Sequence, residues 1–356
     1  MASISEAQIQ YEPPPRLEVG VLGWLRHNLF GSWLDAVLTF VSLGVLYLIL
    51  VPSVRWAFTE ANWRAITNNI LILMHGPYPQ TQNHRVLIVA VMVVLMGAAS
   101  VFVYRSSNKG LRRATTIAWV LTPLLVWIIL AGFKGSTVLP QVDYSKWGGL
   151  LLTFVLAIFG IVASFPLGVL LALGRRSDLL IVKWLSTAYI EVVRGVPLIT
   201  VLFMAQIMLP LVLPADVRIP GMLRAMVGIT LFSAAYLAEN VRGGLQAIPQ
   251  GQHEAARALG LNTFQEMYLI ILPQALRTVI PPIVGQFIGL FKDTSLVAIV
   301  GLLDLLFVTR SILAQAGFLG AQKEVYVFAA LVYFIFSYAM SSASLRLEKR
   351  LGVGTR

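Results

Sequence analysis

Residues 251–277 read GQHEAARALGLNTFQEMYLIILPQALR, a polar stretch set between segments apolar enough to live in lipid. Pro249 suits the first turn of a helix and Gly260 suits the left-handed residue that ends one, so 248–260 predicts a short helix. Asn262 and Thr263 stand three residues before Gln265 and Glu266, a doubled capping-box pattern that opens a second helix. Phe264, Met267, Ile270 and Ile271 are expected on one face of that helix, and Pro273, which lacks an N–H, is expected to break its ladder. The small residues Ala255, Ala256, Ala258 and Gly260 let another surface come close to the first backbone, while Glu254 and Arg257 put charge at its edge. A loop that is helical only in order to connect two spans would look the same locally.

The setting makes the elbow informative. Of 356 residues, 58% are hydrophobic and 12% charged, and the mean hydropathy is +0.80. That composition is an integral membrane protein's. Apolar runs at 31–54, 86–104, 115–133, 148–174, 186–212, 223–241, 278–310 and 324–345 each reach the length of about 20 residues that a helix needs to cross the hydrocarbon. The fold class is therefore all-α, a polytopic helical membrane protein with about eight crossings.

The net charge of +11 is read as topology before nucleic acid. With both termini inside, basic clusters at Arg105, Lys109, Arg112 and Arg113, at Arg175, Arg176 and Lys183, at Arg242, Arg257 and Arg277, and at Arg346, Lys349 and Arg350 all fall on the cytoplasmic side. Arg85 and Arg224 are among the cations assigned outside. The first residues, with Glu6, Glu12 and a run of prolines from Pro13 to Pro15, lack the apolar core of a cleaved signal and are expected to remain as a cytoplasmic tail. Residues 16–30 read as an interfacial helix, and 56–84 as a long outside loop with Trp56, Phe58 and Trp63 suited to the headgroup layer. The chain has no cysteine, so thiol chemistry is excluded, and its histidines at 27, 75, 84 and 253 have no ligand spacing, so no metal is expected. His253 is expected to face solvent.

Glu254-Ala255-Ala256, Gly260, Ile270, Leu272 and Pro273 resemble the EAA motif of permease subunits of ATP-binding-cassette importers. YIEVVRGVPLITVLF at 189–203, AYLAENVRGGLQAIPQGQHEAARALG at 235–260 and LFKDTSLVAIVGLLDL at 290–305 are similar to its polar amino-acid branch. NLFGSWLDAVLTF and the overall length are similar to the second permease of the general, or acidic and neutral, amino-acid type. The resemblance is strong over 148–350 and weaker over 20–134. It implies a type I importer permease core at 135–350 with 248–260 as coupling helix, a tail and interfacial helix at 1–30, a three-span extension at 31–134 and a short tail at 351–356. It further implies a multi-pass protein of a bacterial inner membrane, a second non-identical permease, two ATPase subunits that carry the ATP and Mg, an external substrate-binding protein, an amino-acid substrate and surrounding lipid. No cofactor is implied for this chain and no nucleic-acid partner. The motor must be a separate chain, because no G-x-x-x-x-G-K-[ST] phosphate loop occurs here.

Ionisable groups inside spans are functional candidates. Glu191 and Arg194, three apart, are expected to pair on one helix face beside the bend at Gly195 and Pro197. Glu239, Asn240 and Arg242 close the sixth span, where snorkelling to the headgroups is the plainer account. Lys292 and Asp293 interrupt an apolar run too far from its ends to snorkel, and Asp293, Thr294 or Ser295 is expected to cap a helix running on through Val297. Such an interrupted helix would present a positive end to the α-carboxylate of an amino acid. Asp304 reads as a peripheral charge. A stand-alone ion-coupled secondary transporter using Lys292, Asp293 and Glu191 is the alternative, and it leaves the elbow without a purpose. An intramembrane enzyme has no support, since no catalytic residue set, HExxH or GxSxG is present.

Overall fold

The computed structural model describes residues 20–214 and 216–352, so most of the expected N-terminal tail and the last four residues of the C-terminal one lie outside the description. The chain divides into two compact units, with the boundary between Asn62 and Trp63. In the first unit, α1 (Gly20–Leu29) is helical within the stretch 16–30 expected to be an interfacial helix, whose first four residues lie outside the description, and is followed by α2 (Trp33–Arg55). Ser32 caps α2 by accepting from the Asp35 N–H at 3.2 Å, and Thr39 ties the two helices by donating to the Leu29 carbonyl at 2.8 Å. No residue of α2 is buried. Its apolar length, continued by a π-helical turn at Trp56–Glu60, is that of a span.

The second unit begins with two short helices, α3 (Arg64–Thr67) and α4 (Ile70–His75), where a plain outside loop was expected. Ala65 and Leu73 are fully buried there, and Trp63 is partly buried against the same cluster. The spans α5 (Asn83–Val103), α6 (Lys109–Ala131) and α7 (Gly149–Arg175) follow. The fifth expected span is broken into α8 (Leu180–Arg194) and α9 (Leu198–Phe203), which continues through a π turn into α10 (Leu209–Val212), and the two halves meet at 105°. Pro197 stands just before α9 in extended backbone, which is the bend that Gly195 and Pro197 predict. The central span is α11 (Gly221–Gln246). After the elbow come α14 (Leu272–Thr278), α15 (Ile280–Asp293), α16 (Leu305–Ile312) and α17 (Gln322–Leu351), the elbow itself holding α12 (Gln250–Ala258) and α13 (Thr263–Gln265).

The core is built on α7 against α11. Gly160, Ser164, Gly168 and Ala172 recur every four residues along α7 and all are buried, so they form one row of small residues on which a second backbone can settle. In lipid, where apolar surface gives helices no reason to associate, that close approach is what drives packing. A Cβ placed on Gly168 would lie 2.6 Å from the Leu237 Cβ and 3.1 Å from the Ala234 carbonyl oxygen of α11. Gly168→Leu is therefore expected to destabilise the folded chain by about 3 kcal/mol through overpacking, seen as a lowered melting temperature in detergent, whereas Gly97→Leu, whose site is open, should be neutral.

The expected boundary between a peripheral extension (31–134) and the core (from 135) is not where the chain divides. Residues 63–134 belong to the same unit as the permease-like helices. At one end of the unit three segments cross on glycine. Gly148 donates to the His75 carbonyl at 3.2 Å and Gly149 to the Leu303 carbonyl at 2.7 Å. Gly76, at φ +65, comes so close that a Cβ on it would be 2.4 Å from the Gly148 Cα. Arg85, assigned to the outside, is 1% exposed at the start of α5 and donates to the Pro140 carbonyl at 3.0 Å.

Candidate functional site

The elbow is assembled by backbone capping at both of its ends. α12 covers Gln250–Ala258 with Pro249 in extended backbone before it, slightly shorter than the expected 248–260. Gly260 takes φ +77. Its N–H donates to the Arg257 carbonyl at 2.9 Å and the Leu261 N–H to the Ala256 carbonyl at 3.2 Å, the paired bonds of a Schellman ending. Two residues on, Asn262 accepts from the Gln265 N–H at 2.9 Å while the Gln265 side chain accepts from the Asn262 N–H at 3.0 Å, a complete capping box.

The second half of the doubled box does not form. Glu266 turns inward, 6% exposed, and takes His253 Nδ1 at 2.6 Å on one oxygen and Arg257 Nε at 3.2 Å on the other. The hydrogen bond from His253, then that from Arg257, hold the Glu266 carboxyl below the usual glutamate range against a smaller opposing cost of burial. His253 accordingly packs against the fold and does not face solvent. Below Glu266 the helix widens into a π turn at Glu266–Ile271, and Pro273 stands in the first turn of α14. The wide turn shifts the hydrogen-bond pattern one residue before the proline that has no donor, so the helix continues where the sequence suggested a break. The widening also splits the expected apolar face. Ile271 is fully buried and Phe264 is 74% exposed, stacked on Tyr268 at 5.8 Å.

In α12, Ala256 faces inward at 2% exposure, while Glu254 and Ala255 are exposed. Leu272 is half-buried and Pro273 exposed on α14. That helix is seated on α11 at Gly244, where a Cβ would meet Val279 Cγ1 at 2.5 Å. The elbow is thus fixed directly to the central span.

A belt of charge joins α7, α8 and α11 close to the same end of α11. Glu191 pairs with Arg175 of α7 at 2.8 Å, not with its helix neighbour Arg194 as spacing suggested. Glu239 gathers Arg175 at 3.4 Å, Arg194 at 3.6 Å and Arg242 on its own helix. Arg194 also lies 5.7 Å from the ring centroid of Tyr236, within cation–π range. Asn240 is half-buried beside this belt and makes no side-chain bond to it among the described residues.

The proposed interruption at Lys292 is absent. α15 passes without a gap into a 3-10 helix at Thr294–Val300, and neither Asp293 nor Ser295 caps a new N-terminus. Thr294 is fully buried and donates back to the Phe291 carbonyl at 2.7 Å. The break comes later, at Gly301 with φ +83, and the capping residue is Asp304, whose carboxylate accepts from the Leu306 N–H at 3.1 Å and the Phe307 N–H at 3.0 Å. Asp304 is fully buried, so its reading as a peripheral charge is corrected. An aspartate three residues after a glycine and directly before Leu305-Leu306-Phe307 was the available signal.

A family model described as the binding-protein-dependent transport system inner membrane component matches residues 164–353. The chain belongs to that family. Among curated relatives, the inner membrane amino-acid ABC transporter permease protein YhdY of Escherichia coli is 44% identical over 347 residues, 93% of each chain. The glutamate/glutamine/aspartate/asparagine transport system permease protein BztC of Rhodobacter capsulatus is 37% identical over 420 residues, 95% of each. A crystal structure of an amino acid ABC transporter with histidines matches with a TM-score of 0.52 at 30% identity, covering 57% of this chain and 92% of that one. This inner membrane component, multi-pass by its apolar helices, thus carries the elbow, the belt and the buried turn within the matched region. Sequence reasoning missed Arg175, Glu266 and His253 as members of the component's polar contacts, because their partners lie on other helices.

Proposed function

We propose that this chain is the transmembrane permease subunit of an ATP-driven amino-acid importer, forming half of the translocation path and coupling it to a separate ATPase. The observation that carries the reading is the elbow: a short helix with Glu254 and Ala255 outward, closed by a left-handed glycine and seated on the central span. Family membership and the amino-acid permease names of its relatives support it. ATP and Mg belong to two ATPase subunits, and the chain carries out no catalysis itself. A second, non-identical permease completes the path, and an external binding protein delivers the amino acid.

Counting the bent pair α8 and α9–α10 as one crossing gives up to 8 crossings, an even number that supports a topology with both termini on one side, and the basic clusters favour the cytoplasm for that side together with the elbow. Glu191, Arg194, Glu239 and Asn240 then lie toward the cytoplasmic end of the path. Lys292, Asp293 and Ser295 line it, with the buried Thr294 behind them, where the α-helix tightens to 3-10 geometry. An ion-coupled transporter acting alone would leave the exposed face of α12 without a use. Co-expression with the candidate partners and native mass spectrometry test the reading. The expected particle holds one copy of this chain, one second permease and two ATPase subunits. A functional homodimer of this chain, or uptake driven by an ion gradient without ATP, would overturn it.

A further inference from the structure

We infer that Glu266 is a positioning residue that makes the elbow one rigid lever, by clamping the docking helix to the helix that leads into the membrane. The inference rests on the coupling role proposed above. It starts from an unusual arrangement: a carboxylate 6% exposed in a segment otherwise open to water, with both oxygens engaged by residues of the preceding helix. His253 and Arg257 lie four apart on α12, one turn, so a single side chain reaches both. A second tie runs parallel to it, from Gln274 Nε2 to Gln252 Oε1 at 3.1 Å. Together they join α12 to the chain on either side of the π turn at Glu266–Ile271.

The mechanical consequence follows from what else holds α12 in place. The helix has one buried residue, Ala256. Its far side, with Glu254, Ala255 and the 79% exposed Leu259, is free for a partner. The turn at Gly260 to Asn262 fixes the angle between the helices but acts as a single corner, and a corner alone is a hinge. Charge-assisted bonds across the angle, made to a carboxylate that is itself largely covered although Arg257 is 69% exposed, turn the hinge into a bracket. Force applied to α12 then reaches α14, whose seat on α11 at Gly244 is too close for a Cβ, so the push arrives at the central span undamped. The titratable and charged groups facing the Glu266 carboxylate are those of α12, the His253 ring and the Arg257 guanidinium.

The test uses the complete complex in reconstituted vesicles, with Glu266→Ala, Glu266→Gln and Glu266→Asp. Two quantities are read: amino acid taken up per ATP hydrolysed, and amide hydrogen exchange over residues 250–265. Loss of a clamp built from charge-assisted bonds is expected to speed exchange on α12 by about tenfold in Glu266→Ala, with ATPase binding retained and uptake per ATP lowered by a similar factor. Glu266→Gln, which keeps the shape and loses the charge, should fall between, and Glu266→Asp should recover part of both. Should Glu266→Ala fail to insert, Glu266→Gln carries the same reading. Wild-type uptake per ATP in Glu266→Gln and Glu266→Ala overturns the lever, whether or not exchange changes. Unchanged exchange overturns the clamp. Failure of the coupling role itself reads differently, as a wild-type chain that binds no ATPase while its exchange still responds to Glu266.

Discussion

Glu254→Lys is expected to reduce ATP-driven uptake to a few per cent while leaving the chain folded and the complex still weakly assembled. Glu254 is exposed on α12 and makes no side-chain bond or ion pair among the described residues, Arg257 having turned to Glu266 instead. Reversing its charge therefore costs the isolated chain nothing in internal contacts. Its effect falls on whatever binds α12, where like-charge juxtaposition costs several kcal/mol. Gly260→Val reaches the same end by another route. At φ +77 a β-branched residue is strained by about 1–2 kcal/mol, and because no atom lies within 4 Å of the added Cβ, the damage is to the angle of the corner, not to packing. Lys292→Ala and Asp293→Ala should give the opposite pattern, with the ATPase bound and stimulated while transport of every substrate falls. ATPase stimulation and uptake measured on the same vesicles separate the two classes. Wild-type transport by Glu254→Lys and Gly260→Val would remove the docking role from the elbow, and wild-type transport by both alanine variants would remove Lys292 and Asp293 from the path.

The features legible in the sequence were those written in neighbouring residues. The elbow's corner follows from Gly260 and from Asn262 with Gln265, and the break of the fifth span from Gly195 and Pro197, because each is a property of a few consecutive backbone units. What failed was of another kind. Spacing paired Glu191 with Arg194, but a guanidinium from α7 reaches Glu191 more directly, and no pattern along α8 announces Arg175. Thr263 and Glu266 have capping-box spacing, yet a partner thirteen residues back outcompetes the N–H that the box would satisfy. Lys292 and Asp293 suggested an interruption by polarity alone, whereas a helix ends where its backbone bonds end, and here they tighten and continue. The run of small residues on α7 at every fourth position was readable as a packing face. The burial of Arg85 and of Ala65, beside which Trp63 packs, draws residues 63–134 into the larger unit and depends on contacts with Pro140 and α16 that lie far away in sequence.

Glu239→Ala should be among the most destabilising single changes in the belt. One carboxylate receives Arg175, Arg194 and Arg242 from three helices, and only Arg175 has another anion, Glu191. Removing Glu239 leaves Arg194 and Arg242 without an acidic partner while all three cations stay drawn together by the packing of α7 on α11. Breaking a buried pair by deleting one member costs about 3–5 kcal/mol; Glu239 retains 22% side-chain exposure, and water screens the remaining repulsion, so about 2 kcal/mol is the expected loss. Glu191→Ala, whose carboxylate is 55% exposed and forms its ion pair with Arg175, should cost well under half as much. The comparison is a pair of thermal melts on the purified complex at low and high salt. The Glu239→Ala deficit should shrink as salt screens the three guanidinium groups. An equal loss for both variants, or a Glu239→Ala melt insensitive to salt, would mean that the helices are held at this end by packing and that the belt only follows their arrangement.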